Sequence, residues 1–206
     1  DTEDQKNDFC LGLKNFFDIA DYITINISSP NTKGLRDFHD EKKLKNLLFT
    51  LNKIKEEKKT NIPLLLKVSP DIKDNYISEI VNVSIQNNIS AIILTNTTEG
   101  NRDNLVSKIN QEEGGLSGEP LQKISTNMIK KFYKELKGKI PIIGVGGVNS
   151  GKAAFEKILA GASLLQLYTG FVYRGPSTAK KIKRELIEIL KSEGINNIQE
   201  AVGKNI

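Results

Sequence analysis

Short apolar runs alternate with longer amphipathic stretches along most of this 206-residue chain. Tyr22–Ile27 precedes Glu41–Lys58, Pro63–Val68 precedes Asn75–Asn87, and Ala91–Thr95 precedes a polar interval. Ile140–Val145 then leads to Gly151–Leu159, and Ser163–Tyr168 to Ser177–Lys191. The short runs predict five strands and the longer ones helices. These strands read as near-continuous Ile, Leu and Val rather than alternating apolar and polar, which predicts burial on both faces, the pattern of parallel sheets covered by helices. The predicted fold class is α/β. Between Thr98 and Pro120 the rhythm breaks into a polar, glycine-ending insertion, and only then does Leu121–Leu136 supply the missing helix. Long interruptions of this kind belong to functional loops.

The ends of the predicted strands decide between an open doubly wound sheet and a barrel. All five carry polar groups or glycine: Asn26 to Thr32, Lys67, Thr95 to Thr98, Gly144 to Gly147, and Tyr168 to Gly170. An open sheet concentrates ligand groups at one switch point, whereas a TIM (β/α)8 barrel gathers every strand end around one mouth. The barrel is favoured, with this chain covering roughly strands 4 to 8. Residues 1–206 are then the C-terminal portion of one barrel domain. Asp1-Thr-Glu-Asp4 has neither a Met nor an apolar targeting segment, so the chain reads as part of something longer.

Composition removes whole chemistries. One cysteine (Cys10) and one histidine (His39) leave no disulfide framework, no Cys/His zinc site and no His-dependent triad, and both residues read as structural. No metal site is expected. The net charge is +5, yet 26 of the 30 basic residues are lysines spread over the helices without interleaved aromatics, so nucleic acid is not an expected partner. No apolar run approaches the ~20 residues of a membrane span.

What remains is chemistry of amides, hydroxyls, glycine backbone and lysine. Gly144-Val-Gly146-Gly147 followed by Asn149-Ser150-Gly151 places flexible amides at a helix start, an anion site unless the glycines merely make a turn. Tyr168-Thr169-Gly170 ends the next strand in the same way, as phosphate cradles in the last two units of barrels do. No GxGxxG with a following acid marks a dinucleotide site, so a mononucleotide phosphate fits better. Lys67 closes an all-leucine strand, where it either meets a ligand or extends out of the barrel mouth. Asn26, Asn31 and Asn96 converge on that mouth, and amides that both donate and accept suit a pyrimidine-like ring.

Asn26-Ile-Ser-Ser-Pro-Asn-Thr32, Thr95-Asn-Thr-Thr98, Gly114-Gly-Leu-Ser-Gly118, Ile142 to Val148 and Ala160 to Thr169 together resemble the class 2, quinone-linked dihydroorotate dehydrogenases. The match runs from about Tyr22 to the end of the chain. The resemblance implies oxidation of dihydroorotate to orotate in pyrimidine biosynthesis, with FMN as hydride acceptor and a membrane quinone as final acceptor. It implies Ser29 as the catalytic base, with Thr32 relaying its proton through water. Asn26, Asn31, Asn96 and Thr97 match groups that hold the orotate ring. Asn26, Lys67, Thr95, Gly118, Gly147, Tyr168 and Thr169 match FMN contacts, the last three around the phosphate. Arg36 lies on the loop after the base and receives no role.

The family's N-terminal strands and membrane-associating helices have no counterpart in this chain. The resemblance therefore implies peripheral membrane association through a region outside it, at the cytoplasmic face of a bacterial inner membrane or at the mitochondrial inner membrane. A class 1 enzyme using fumarate or NAD is the competing activity, but those soluble relatives carry Cys where this chain has Ser29. An inactive flavin-barrel fragment is the competing non-enzymatic reading.

Overall fold

A computed structural model describes residues 4–100, 102, 105–106 and 112–206. Parts of the polar insertion predicted between Thr98 and Pro120, and the first three residues, lie outside them. Among the described residues there are five strands: β1 (Ile23–Asn26), β2 (Leu64–Val68), β3 (Ala91–Leu94), β4 (Ile142–Val145) and β5 (Ala162–Gln166). Each pairs in parallel with the next, in the order β1-β2-β3-β4-β5. A doubly wound sheet reverses its order at a switch point; this one never does, which is the order of a barrel wall. Five units make an open arc of that wall.

Seven α-helices among the described residues accompany the strands: α1 (Gln5–Phe16), α2 (Glu41–Glu57), α3 (Asn75–Gln86), α4 (Gln122–Leu136), α5 (Gly151–Leu159), α6 (Thr169–Arg174) and α7 (Thr178–Ser192). Side-chain caps start three of them. Asp4 accepts from the Asn7 N–H at 3.0 Å, Asp40 from Lys43 at 3.0 Å and Ser150 from Ala153 at 3.2 Å. Each such cap is worth about 1 kcal/mol. Neither α1 nor α6 is among the elements predicted from the periodicity. Pro120 sits in a 3-10 turn, Glu119–Leu121, that leads into α4.

Strand alternation sorts the side chains into two layers. Leu64, Leu66 and Val68 of β2, with Ile92 and Leu94 of β3, face the helices and join Leu44, Leu48, Ile80, Ile129 and Phe132 in the main core. Leu65, Ala91, Ile93 and Ile143 form a smaller cluster on the opposite face, the barrel interior. Lys67 continues that inner row: its register partners are Asn26 on β1 and Ile93 on β3, and Ile93 pairs with Ile143. The expectation of strands buried on both faces fails at β5, where Leu164 is 61% exposed. Leu164 is the register partner of Ile143 on an edge strand, so nothing further covers its inner face.

Candidate active site

The loop leaving β1 carries Ser28, Ser29, Pro30, Asn31 and Thr32. Ser28 is fully buried. Its hydroxyl donates to Asn26 Oδ1 at 2.9 Å and accepts from Asn96 Nδ2 at 3.0 Å, and Asn96 Nδ2 also reaches Asn26 Oδ1 at 3.2 Å. Three polar side chains from the ends of β1 and β3 thus satisfy one another. Asn96 Oδ1 accepts the Thr97 N–H at 2.8 Å, and Thr95 Oγ1 donates to the Asn96 carbonyl at 2.9 Å. The inward-facing Lys67 lies in the row between these strands. It is half-buried, has no hydrogen-bond or ion-pair partner among the described residues, and burial pushes its pKa below the ordinary lysine value.

The described end of the polar insertion returns to this cluster. Thr98 and Leu116 exchange backbone hydrogen bonds at 3.1 and 2.7 Å, so the insertion returns beside its starting point. Gly114 then lies against the Asn31 side chain, and a Cβ on Gly115 would overlap the side chain of Thr97. Glycine is required there by close approach. Ser29 is half-buried and its Oγ accepts the Asn31 N–H at 3.2 Å. Thr32 makes no side-chain hydrogen bond among the described residues; with Asn26 it lines a 680 Å³ cavity between α1 and the outer edge of β1.

A second cavity, of 690 Å³, brings together Gly118, Gly147, Asn149, Thr169, Gly170 and Arg174. Thr169 Oγ1 donates to Ser117 Oγ at 2.9 Å, tying the start of α6 to the end of the insertion. Gly147 has φ +70, and a Cβ there would come within 2.5 Å of Gln122 Cβ, so the loop after β4 is pressed against the first turn of α4. Its buried amide has no hydrogen-bond partner among the described residues. The start of α5, in contrast, is already occupied. Gly151 N–H donates to Glu185 Oε2 at 2.5 Å and Ala153 N–H to Ser150, so the anion site expected at this helix start is confined to the glycine loop before it. Tyr168 is 79% exposed and does not line the cavity.

Sequence reasoning missed the supports of both regions. Lys157 of α5 is fully buried behind the glycine loop, its Nζ donating to Ser125 Oγ at 2.9 Å, Thr126 Oγ1 at 3.1 Å and the Gln122 carbonyl at 3.4 Å. Burial pushes its pKa down to about 7. Ser125 Oγ in turn donates to the Val145 carbonyl at 2.5 Å, one residue before Gly146. The signal was a lysine in the apolar stripe Ala153, Ala154, Lys157, Ile158. Asp71, Glu99 and Arg102 were also passed over; Arg102 donates to the Gly114 carbonyl.

A family profile described as dihydroorotate dehydrogenase matches residues 2–190. The chain belongs to the dihydroorotate dehydrogenase family. It is 42% identical over 207 residues to the Arabidopsis thaliana protein named dihydroorotate dehydrogenase (quinone), mitochondrial, covering 98% of this chain and 45% of that protein. It is 45% identical over 192 residues to the Trichodesmium erythraeum dihydroorotate dehydrogenase (quinone), covering 89% and 50%. The crystal structure of DHODH from Eimeria tenella in complex with ferulenol superposes with a TM-score of 0.93 at 35% identity, over 98% of this chain and 59% of that one. The likeness to solved dihydroorotate dehydrogenases places the five-stranded arc as part of a TIM barrel. The chain spans about half the length of the curated relatives it matches. No described helix is long and apolar enough to cross a membrane.

Proposed function

We propose that this dihydroorotate dehydrogenase chain is the C-terminal portion of an enzyme that oxidises dihydroorotate to orotate, with FMN as cofactor and a quinone as final acceptor. The observation that carries the reading is the Asn26–Ser28–Asn96 cluster beside Ser29, set over the unpaired Lys67. A cyclic ring bearing both C=O and N–H groups needs neighbours that donate and accept, and Asn26, Asn31, Asn96 and Thr97 supply both.

The residues present fit FMN. The unpartnered Gly147 amide, the Thr169 hydroxyl and Arg174 surround a cavity suited to a phosphate, and Gly118 borders it. Thr95 and Lys67 lie at the strand ends leading inward from it. Bound FMN would supply the hydride acceptor for C6 of the substrate. Ser29 removes the C5 proton, and Thr32 passes that proton through water towards the cavity it lines. A serine hydroxyl is too weakly acidic to act as a free base near neutrality, so a relay is needed. Lys67 holds positive charge where negative charge develops on reduction. The Tyr168 side chain is exposed and outside the cavity lining, so any contact of Tyr168 with the phosphate would be through its backbone N–H.

Quinone as acceptor is supported by Ser29 in the base position and by relatives whose names specify quinone. Peripheral attachment to a bacterial or mitochondrial inner membrane would come from segments outside this chain. Turnover of the complete, FMN-loaded protein with dihydroorotate tests the reading. A ubiquinone analogue should sustain turnover, whereas fumarate and NAD should not. Turnover with fumarate and none with quinone would move the protein to the soluble class.

A further inference from the structure

Arg36, which the sequence left without a role, is bound by the loops after three successive strands. Its Nη1 lies 2.5 Å from Glu99 Oε2 and its Nη2 3.2 Å from Asp71 Oδ2, while Nε donates to the Ser28 carbonyl at 3.4 Å. Asp71 is itself a junction. Its Oδ1 accepts from Thr98 Oγ1 at 2.5 Å, its Oδ2 from the Glu99 N–H at 3.0 Å, and its own N–H donates to Ser69 Oγ at 3.2 Å. One guanidinium therefore joins the loop after β1 to those after β2 and β3.

The contact that matters for chemistry is the one with Ser28. The Ser28 carbonyl shares a planar peptide with the Ser29 N–H, so holding that oxygen fixes the plane from which the Ser29 Cα departs. The Ser28 hydroxyl is already fixed by Asn26 and Asn96, leaving the carbonyl as the free end of the residue. Arg36 closes it. The far end of the same loop is anchored separately, Gln5 Nε2 donating to the Lys33 carbonyl at 2.6 Å, so that end is held by a contact other than Arg36. The outer pair, with Glu99 57% exposed, contributes little to stability, and the Arg36–Asp71 pair, at 24% and 28% exposure, contributes more. Their geometric content is larger, because a planar fork can address two carboxylates and a carbonyl at once, which a lysine cannot.

We infer that Arg36 is a positioning residue: acting through the Ser28 carbonyl and the Asp71–Glu99 pair, it sets the orientation of Ser29 towards the substrate. This rests on the reading of Ser29 as the base. A positioning error of about 1 Å costs on the order of 100-fold in rate, whereas ring-holding groups on other residues are untouched.

The test uses the complete, FMN-loaded protein with Arg36→Lys, Arg36→Gln, Asp71→Asn and Ser29→Ala. Anaerobic single-turnover bleaching of the flavin by dihydroorotate gives the rate, the flavin spectral shift on titration gives the orotate Kd, and thermal unfolding gives Tm. Both Arg36 variants should slow bleaching by about 10- to 100-fold, with orotate Kd changed less than about threefold and Tm lowered only modestly; Asp71→Asn should follow in the same direction. Bleaching within twofold of wild type in Arg36→Lys or Arg36→Gln overturns the inference. So does a loss of orotate affinity as large as the loss of rate, which would make Arg36 a substrate ligand, or a fall in Tm with the rate intact, which would make it purely structural. If Arg36→Gln does not fold, Arg36→Lys and Asp71→Asn decide. Wild-type rates in Ser29→Ala would instead remove the underlying reading.

Discussion

Asn96 Nδ2 lies 3.2 Å from Asn26 Oδ1, joining the ends of β1 and β3 across the intervening β2. The same strand carries Lys67, whose register partner is Asn26. Two amides thus bridge the barrel mouth beside its inward-facing lysine. Asn96→Ala removes the donor to both Asn26 and Ser28. Loss of these hydrogen bonds should cost about 1–2 kcal/mol of stability, read from urea unfolding. Orotate affinity of the complete protein should fall about tenfold or more; unchanged affinity would remove Asn96 from the ring-holding set.

His39 gives a pH prediction. It is buried in the turn before α2, its Nε2 has no hydrogen-bond partner among the described residues, and burial followed by the nearby Arg36 charge lowers its pKa from 6.5 to about 4. A folded-state pKa below the unfolded one means that the unfolded chain takes up the proton first as pH falls. The stability owed to neutral His39 is therefore complete above about pH 6.5 and is lost between about 6.5 and 4, some ~3 kcal/mol in all. Relative to wild type, His39→Phe should show a flatter loss of unfolding free energy over that window, and parallel curves would contradict it.

Lys67 faces inward with no partner among the described residues. A charge held for a developing anion acts on rate rather than on ground-state binding. Lys67→Met should slow reduction by dihydroorotate about 10- to 100-fold and leave the orotate Kd within a few-fold. An unchanged reduction rate with a raised Kd would mean that Lys67 holds the substrate.

Most of the wall was legible because β2, β3 and β4 are bounded apolar runs with Pro63, Pro141 or polar residues at their ends, and their helices carry a clear apolar stripe. α1 escaped because only Cys10 and Leu13 of its twelve residues are buried and Gly12 dilutes the pattern, although Asp4 was a readable cap. α6 is six residues beginning Thr-Gly, too short for a helical period. The exposure of Leu164 is a property of which strand stands at the edge, and strand composition does not encode that. Within the site, residue types at strand ends pointed to Asn26, Asn96 and Lys67, and the resemblance pointed to Ser29. Their supports were less visible. Asp71, Glu99 and Arg36 are ordinary surface charges in sequence, and only the fold brings positions 36, 71 and 99 to one point. That Thr32 lines the cavity by α1 and that the Tyr168 side chain is exposed are likewise set by the fold and not by residue type.

The central claim is that Ser29 removes a proton from dihydroorotate in the cleft formed by Asn26, Asn96 and Lys67. Anaerobic mixing of the complete, FMN-loaded protein with dihydroorotate tests it most directly. Wild type should bleach the flavin absorbance in a single turnover, and Ser29→Ala should bleach it at least about 100-fold more slowly while still binding orotate. Equal bleaching rates in the two proteins, or no bleaching of wild type by dihydroorotate, would contradict the account.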